Sequence, residues 1–333
     1  MRRLALLTLF IPAFTFTGIA SAGGTTLDLV AFSTPQAVTQ TVIAKWQHTS
    51  AGKNVRFTQS YGPSGSQAKA IVAGQPADIA FLSNALDVYT LVDAGLVVNN
   101  WTHKLSQGGM VANSVVAFAV RPGNPKHIHS WADLTKPGVQ IITPDPFPSG
   151  GAKWNVLAAY GAMRAQSKSD AKATAFVKAM FKNVIAQPTA ASASMAAFLS
   201  GQGDVLLTYE SEAYTAKLAH KPVSIVVPKQ TILIQLPMVP LRKTPAQATT
   251  FIKYSHSTAA QKLFVQAGYR PVVSSALKSP SLASWKKKFS TAGHTIFRVT
   301  GSYFGGWLHA STVWFSPNGR MVKIERAVGG PTS

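Results

Sequence analysis

Four short stretches of small polar residues or glycine stand where helices are predicted to begin after strands. A helix start carries unpaired backbone N–H groups and the positive end of the helix dipole, about half an elementary charge. Glycine lets an anion approach the backbone closely, and a hydroxyl adds a donor. One such stretch is typical of an ordinary helix cap, but four together indicate an anion site. They are Ser33-Thr34, Ser64-Gly65, Ser149-Gly150-Gly151 and Thr189-Ala190-Ala191-Ser192.

Acidic residues are scarce near these stretches. None lies within the four; Asp145 precedes Ser149 by four positions, and Glu210 follows Ser192 further along the chain. A fully ionised sulfate only accepts hydrogen bonds, whereas hydrogen phosphate also needs an acceptor for its proton, and leaving that proton unpaired is costly. A site built from donors alone therefore favours sulfate over phosphate.

The sequence offers little for other chemistry. The chain has no cysteine, which excludes disulfides, thiolate metal ligands and a thiol nucleophile. Its eight histidines form no H-E-x-x-H motif, no serine stands in a G-x-S-x-G motif, and the P-loop pattern is absent. We therefore expect no catalytic residue, no metal and no cofactor.

The rest of the chain alternates short apolar strands with helices, which is typical of an α/β protein with parallel strands. The predicted strands are Leu27–Phe32, Val55–Gln59, Asp78–Leu82, Ser114–Val120, Val139–Thr143, Val205–Thr208, Val223–Val227 and Ile232–Val239. The predicted helices are Gln36–Trp46, Gln67–Val72, Asp87–Ala94, Ala152–Met163, Asp170–Lys182, Pro245–Gln266 and Ser281–Phe289. Open sheets of this kind bind ligands at the carboxyl ends of their strands, where the four stretches would converge.

The length of 333 residues is more than a single hydrophobic core usually serves, and it predicts two lobes. We expect lobe I over residues 23–111 plus 236–333 and lobe II over residues 112–235. The extended apolar runs Ser114–Val120 and Ile232–Val239 would cross between the lobes and provide the hinge, because closure needs only a few extended residues.

The first 22 residues have the order of a secretory signal peptide. Basic Met1-Arg2-Arg3 precedes a mostly apolar stretch, Leu4–Ile19, and Ala20-Ser21-Ala22 matches an A-x-A cleavage site. The apolar stretch is shorter than the roughly 20 residues that a membrane-spanning helix needs. We therefore expect export to the periplasm.

The chain is strongly basic, with 32 Lys and Arg against 11 Asp and Glu and a formal net charge of +21. The basic residues are scattered, and the tight run Lys286-Lys287-Lys288, with Trp285 and Phe289 beside it, fits a solvated helix face. The pattern predicts no nucleic-acid partner. It also disfavours a basic surface adhesin, which would need a contiguous patch.

Several segments resemble the periplasmic sulfate-binding proteins of sulfate/thiosulfate ABC transporters, and the resemblance runs from about Leu27 to Trp307. The most specific segment is Ser149–Asn155 (SGGAKWN) after Thr143–Pro146 (TPDP). The others are Gln59–Gln67 (QSYGPSGSQ), Arg121–Lys126 (RPGNPK), Gly203–Leu206 (GDVL) with Glu210 and Glu212-Ala213, Tyr269-Arg270-Pro271, and Phe304–Trp307 (FGGW).

The resemblance implies a two-lobe periplasmic-binding-protein fold of type II, in which each lobe is a mainly parallel sheet flanked by helices and the ligand cleft lies between them. It implies a receptor that hands its anion to a membrane permease. We expect this receptor to be a monomer and not an enzyme. The implied hydroxyl donors are Ser64 and Ser149, and Tyr209 stands where the family supplies an indole N–H. The implied backbone N–H donors are those of Thr34, Ser64, Gly150, Gly151 and Ala191.

The chain also departs from the family pattern. Thr34 precedes a proline where the family has aspartate, Pro63 replaces a common glycine, and Ser66 replaces a lysine. Ser192 stands in place of an arginine, and Tyr209 in place of a tryptophan. These changes leave the choice of anion open among sulfate, thiosulfate, molybdate, phosphate and a small organic sulfonate.

Overall fold

The strands of the computed structural model, which describes residues 24–332, form a connected sheet of ten. The predicted signal peptide lies outside the described residues. The strands are β1 Thr26–Phe32, β2 Arg56–Gly62, β3 Ile79–Phe81, β4 Met110–Val120, β5 Ile141–Ile142, β6 Val184–Ala186, β7 Val205–Tyr209, β8 Ser224–Val226, β9 Gln230–Pro240 and β10 Thr295–Phe297.

The sheet has two halves that meet at two long strands. Its order is β2-β1-β3-β9-β4-β7-β5-β6, with β10 paired to β9 and β8 to β4. The first half consists of β2, β1 and β3, which run parallel, and residues 238–240 of β9. The second half consists of β7, β5 and β6, also parallel, and residues 116–120 of β4.

The two long strands connect these halves. β4 and β9 pair antiparallel, with Asn113 opposite Gln235, and each extends from that pairing into a different half. The predicted crossing runs Ser114–Val120 and Ile232–Val239 lie within β4 and β9. Their nearly continuous burial explains why they lack the alternation of a half-exposed strand.

Helices cover the sheet. They are α1 Gln36–Gln47, α2 Ser64–Val72, α3 Ala85–Asp93, α4 Trp101–Lys104, α5 Gly150–Ser167, α6 Asp170–Phe181, α7 Ala191–Leu199, α8 Glu210–Leu218, α9 Ala246–Ser255, α10 Thr258–Gln266, α11 Ala283–Lys288, α12 Trp307–Trp314 and α13 Arg320–Val328. In α1 the predicted stripe of Val38, Val42 and Trp46 is buried, as a spacing of four residues requires on a helix that packs on a sheet. The longest helix, α5, is buried along most of its length.

The prediction of a single helix over Pro245–Gln266 is wrong. The chain forms α9 and α10 instead, which are separated at His256 and Ser257. The Ser257 hydroxyl accepts a hydrogen bond from the Ala260 N–H at 3.2 Å, and this cap starts a new helix.

The C-terminal helices contact both halves of the fold. Trp307 of α12 stacks edge-on against Trp154 of α5, with ring centroids 4.5 Å apart, and α12 also contacts α3. Arg320 of α13 forms an ion pair with Asp170 of α6 at 2.8 Å. The C-terminal segment therefore contacts both halves of the fold.

Candidate functional site

A small cavity lies between the two halves of the sheet, where strands of both halves end. Phe32 is the last residue of β1, Gly62 of β2 and Tyr209 of β7, and Ser83 follows β3 by two residues. The cavity has a volume of about 10 Å³, about the room that one water molecule needs. Its lining residues are Phe32, Ser33, Gly62, Pro63, Ser64, Ser83, Ser149, Gly150, Gly151, Ala191 and Tyr209.

The structure brings six of the seven predicted site residues to this cavity: Ser64, Ser149, Gly150, Gly151, Ala191 and Tyr209. The seventh, Thr34, is not a lining residue. Its neighbours Phe32 and Ser33 line the cavity in its place, and the Thr34 hydroxyl is buried without a hydrogen-bond partner among the described residues. The β1–α1 loop is therefore present at the site through Phe32 and Ser33, whereas the predicted donor of this loop is the backbone N–H of Thr34.

Backbone N–H groups converge on the cavity from the starts of three helices. Ser64 begins α2, Gly150 and Gly151 begin α5, and Ala191 begins α7. Among residues 24–332, no acceptor receives the N–H of any of these four residues. Each group remains available to a ligand with several acceptor oxygens, and each helix adds the positive end of its dipole.

The Ser149 hydroxyl is well placed as a donor. Its oxygen accepts the N–H of Ala152 at 3.4 Å as the cap of α5, and its hydrogen has no acceptor within the described part of the chain. Ser149 is 2% exposed. Because the Ser149 oxygen already accepts a hydrogen bond, its one hydrogen remains available to a ligand in the cavity.

The prediction that the Ser64 hydroxyl donates to the ligand does not agree with the hydrogen bonds. The Ser64 hydroxyl donates to the Asp87 carboxylate at 2.6 Å, and its oxygen accepts the Ser83 N–H at 2.9 Å. A serine has one hydroxyl hydrogen, and here Asp87 receives it. What Ser64 offers the cavity is its backbone N–H.

Three residues near the site, Ser83, Asn84 and Asp87, are not among the predicted ones. Asn84 caps α3 by accepting the Asp87 N–H at 3.1 Å, and its amide donates to the Asp87 carboxylate at 3.0 Å. The sequence does carry the matching signal, since Asn84 with an acidic residue three positions later is the signature of a helix start. Asp87, rather than Asp145 or Glu210, is the carboxylate bonded to a lining residue.

Tyr209 faces the cavity across the boundary between the two halves. Its phenol donates to the Ser83 hydroxyl oxygen at 2.9 Å. Burial raises the pKa of the phenol far above its usual range, so Tyr209 remains neutral. The phenol hydrogen therefore goes to Ser83.

Glycine is required at position 150 by a close approach between the two halves. A Cβ atom there would overlap the Ser83 hydroxyl and lie 2.5 Å from Asn84 Nδ2. A Cβ at Gly151 would lie 3.0 Å from the Tyr209 ring. The two glycines allow the start of α5 to pack against the β3–α3 loop and leave its N–H groups uncovered.

A buried lysine stands behind the cavity. The Lys153 ammonium donates to the Phe147 carbonyl at 2.9 Å, and burial lowers its pKa while the negative charge of Asp87 raises it. The adjacent Pro148 carbonyl accepts the Gly65 N–H at 3.0 Å, which ties α2 to the loop before α5. These two hydrogen bonds support the walls of the cavity, while the lining itself consists of neutral groups.

The described residues can also be searched for a metal site, a membrane-spanning helix and other cavities. No three His, Asp or Glu side chains within residues 24–332 are grouped to hold a metal ion. Across this range no helix has the length and apolar character that crossing a membrane requires. Larger grooves occur elsewhere, such as one of about 420 Å³ between α6 and α13, whose lining includes the charged side chains of Asp170 and Arg320.

Comparison with known proteins agrees with this geometry. Residues 27–270 match the family model described as bacterial extracellular solute-binding protein. The chain is 37% identical to the sulfate-binding protein of Salmonella typhimurium over 293 residues, 85% of this chain and 86% of that protein. It is 31% identical to the thiosulfate-binding protein of Escherichia coli over 295 residues, 85% of each. The structure of SubI, the sulfate-binding protein from Mycobacterium tuberculosis H37Rv, matches with a TM-score of 0.80 and 34% identity, covering 88% of this chain and 100% of that one.

Proposed function

The chain belongs to the family of bacterial extracellular solute-binding proteins, and on this basis we propose that it is a periplasmic receptor for sulfate. Thiosulfate is the second candidate, in keeping with the similarity to a thiosulfate-binding protein. The bound anion would pass to the membrane permease of an ABC transporter. The receptor acts as a monomer and catalyses no reaction.

The predicted fold class is confirmed: this is an α/β protein with the type II fold of periplasmic binding proteins, and each half carries a mainly parallel sheet. We assign lobe I to residues 23–111 plus 236–333 and lobe II to residues 112–235. The two crossings, within β4 and β9, support this assignment. In a receptor of this design the lobes close on the ligand by bending at the crossings.

The observation that carries the proposal is the set of donors around the cavity. We assign anion binding to the backbone N–H groups of Ser64, Gly150, Gly151 and Ala191 and to the Ser149 hydroxyl, which belong to lining residues, and to the backbone N–H of Thr34 in the adjoining β1–α1 loop. Carboxylates are absent from the residues that line the cavity. A buried site of this kind suits a fully ionised anion, which has only acceptors, and it leaves the proton of hydrogen phosphate without a partner.

Calorimetric titration of the mature protein, residues 23–333, with sulfate, thiosulfate, phosphate and molybdate tests the proposal. We expect one anion per chain and tighter binding of sulfate than of phosphate at pH 7. Phosphate binding as tight as sulfate binding contradicts the sulfate assignment. Failure of all four anions to bind contradicts the receptor function altogether.

A further inference from the structure

Ser83 lies at the centre of the contact between the two halves of the fold. It follows β3, is 1% exposed and lines the cavity opposite Gly150. Its backbone N–H donates to the Ser64 hydroxyl at 2.9 Å, and its carbonyl accepts the Trp154 indole N–H at 2.8 Å. Both backbone groups are thus engaged, and they fix the position of the side chain.

The hydroxyl hydrogen is the one donor of Ser83 that has no acceptor within residues 24–332. The Ser83 oxygen accepts the Tyr209 phenol, and this is its single hydrogen bond within residues 24–332. A hydroxyl has one hydrogen to donate, and an oxygen that already accepts a bond directs that hydrogen elsewhere. The side chain lies against Gly150, where the free N–H groups of α5 point into the cavity, so the hydrogen is available at the same place.

Tyr209 is differently placed. Its phenol has one hydrogen, and Ser83 receives it. The phenol oxygen is then left with lone pairs, which repel an anion rather than bind it. Tyr209 therefore acts on the ligand through Ser83, although its own side chain lines the cavity.

We propose that the Ser83 hydroxyl is a direct donor to the bound anion and that Tyr209 is a positioning residue that fixes the direction of this hydroxyl. The inference rests on the proposed anion-receptor function and adds a residue to its site. The donation from Tyr209 takes one of the two lone pairs of the Ser83 oxygen and fixes the direction of the hydroxyl hydrogen, so the hydroxyl meets the ligand as a donor rather than as an acceptor of a phosphate proton. Without the phenol, the Ser83 hydroxyl is free to rotate and accept.

Sulfate titration of Ser83→Ala, Tyr209→Phe and the double variant tests the pair. We expect Ser83→Ala to weaken sulfate binding about tenfold to a hundredfold, as for loss of a hydrogen bond to a charged group. Tyr209→Phe should weaken it less. When Ser83→Ala is already present, Tyr209→Phe should change affinity less than about twofold, because the hydroxyl through which it acts is gone.

Selectivity separates a positioning role from a packing role. We expect Tyr209→Phe to lower the ratio of sulfate to phosphate affinity when Ser83 is present and to leave that ratio unchanged when it is combined with Ser83→Ala. The control is Ser255→Ala, which removes a buried hydroxyl that donates to the Phe251 carbonyl within α9. Thermal unfolding without sulfate shows whether each variant is folded.

Two results would overturn the inference: sulfate affinity of Ser83→Ala within about twofold of the wild type, or an undiminished effect of Tyr209→Phe in the presence of Ser83→Ala. The second result would make Tyr209 the direct donor. Both results count only if the wild-type protein itself binds sulfate. A wild type that binds no oxyanion overturns the proposed function itself, and this inference with it.

Discussion

At the scale of single residues, the site depends on where hydroxyl hydrogens go. Ser64 and Ser149 both stand at helix starts and are equivalent by sequence, yet Asp87 takes the Ser64 hydrogen while the Ser149 hydrogen stays free within the described residues. Residue type and spacing thus locate a hydroxyl at the site. Its direction depends on a partner elsewhere in the chain, 23 positions away for Ser64.

Ser149→Ala removes a cavity donor together with the cap of α5. We expect sulfate binding to weaken by about 1.5–3 kcal/mol, the usual loss for a hydrogen bond to a charged group. The matched control is Ser169→Ala, because Ser169 caps α6 by accepting the Lys172 N–H at 3.3 Å and does not line the cavity. Calorimetry should show unchanged sulfate affinity in the control. An equal loss of sulfate affinity in both variants would mean that Ser149 acts only as the helix cap and not as a donor to the anion.

Gly150→Val places bulk at the closest approach of the two halves. The added side chain would collide with Ser83 and Asn84, so closure and anion binding should fail together. Ala196→Val, at an exposed position of α7, is the control for a β-branched residue in a helix. We expect sulfate to raise the unfolding temperature of the control and of the wild type but not that of Gly150→Val. A normal sulfate response of Gly150→Val would rule out this packing argument.

The sequence predicts most of the site and misses its connecting loop. The predicted helix starts at Ser64, Ser149 and Ala191 do meet at one cavity, because strand ends in a parallel sheet gather there. Ser83 carries no glycine or proline signal and follows a strand of only three residues. Its partners Trp154 and Tyr209 lie 71 and 126 positions away, which no local pattern encodes.

At the scale of elements, regular alternation is predictable and short or broken elements are not. The apolar strands and the stripe of α1 follow from periodicity. β6 and β10 have three residues each, too few to show a period of two. The helices α12 and α13 depend on distant contacts, such as Trp307 with Trp154. These elements are therefore fixed by long-range packing and not by a local sequence pattern.

The break between α9 and α10 can be tested on the cap that creates it. Ser257→Ala removes the acceptor of the Ala260 N–H, and we expect the free energy of unfolding to fall by about 1 kcal/mol. Sulfate affinity should not change, since Ser257 is not a lining residue. Ser200→Ala, an exposed hydroxyl at the end of α7, should cost less than about 0.5 kcal/mol. Urea unfolding measures both variants, and equal stability of the two would contradict the cap.

At the scale of the whole molecule, the few carboxyl groups give stability an unusual dependence on pH. Burial raises the pKa of Glu212 to about 7, opposed by the Thr208 hydroxyl, and burial likewise raises the pKa of Glu325 to about 7, opposed by Gln187. An unfolded glutamate has a pKa of about 4.3. Between these values the folded protein holds protons that the unfolded chain has released.

The free energy of unfolding therefore falls as pH rises from about 4.3 to about 7, and we expect the protein to be more stable at pH 5 than at pH 8. Hydrogen bonds from Lys136 and from the backbone hold the pKa of Asp133 below its usual range, as the Arg320 hydrogen bonds do for Asp170. The ionised Asp133 and Asp170 therefore stabilise the folded state at pH values above the usual aspartate pKa. This stabilisation should be lost only when the pH falls below that pKa.

The variant Glu212→Gln isolates one of the two groups. An amide cannot ionise, so the variant should lose less stability than the wild type between pH 5 and pH 8, and Glu212→Gln with Glu325→Gln should lose least. Asp93→Asn, at an exposed position of α3, should follow the wild type. Urea unfolding at pH 5, 6, 7 and 8 gives the free energies. A wild type that is more stable at pH 8 than at pH 5, or a Glu212→Gln variant with the wild-type slope, would show that the buried Glu212 carboxyl does not control this dependence.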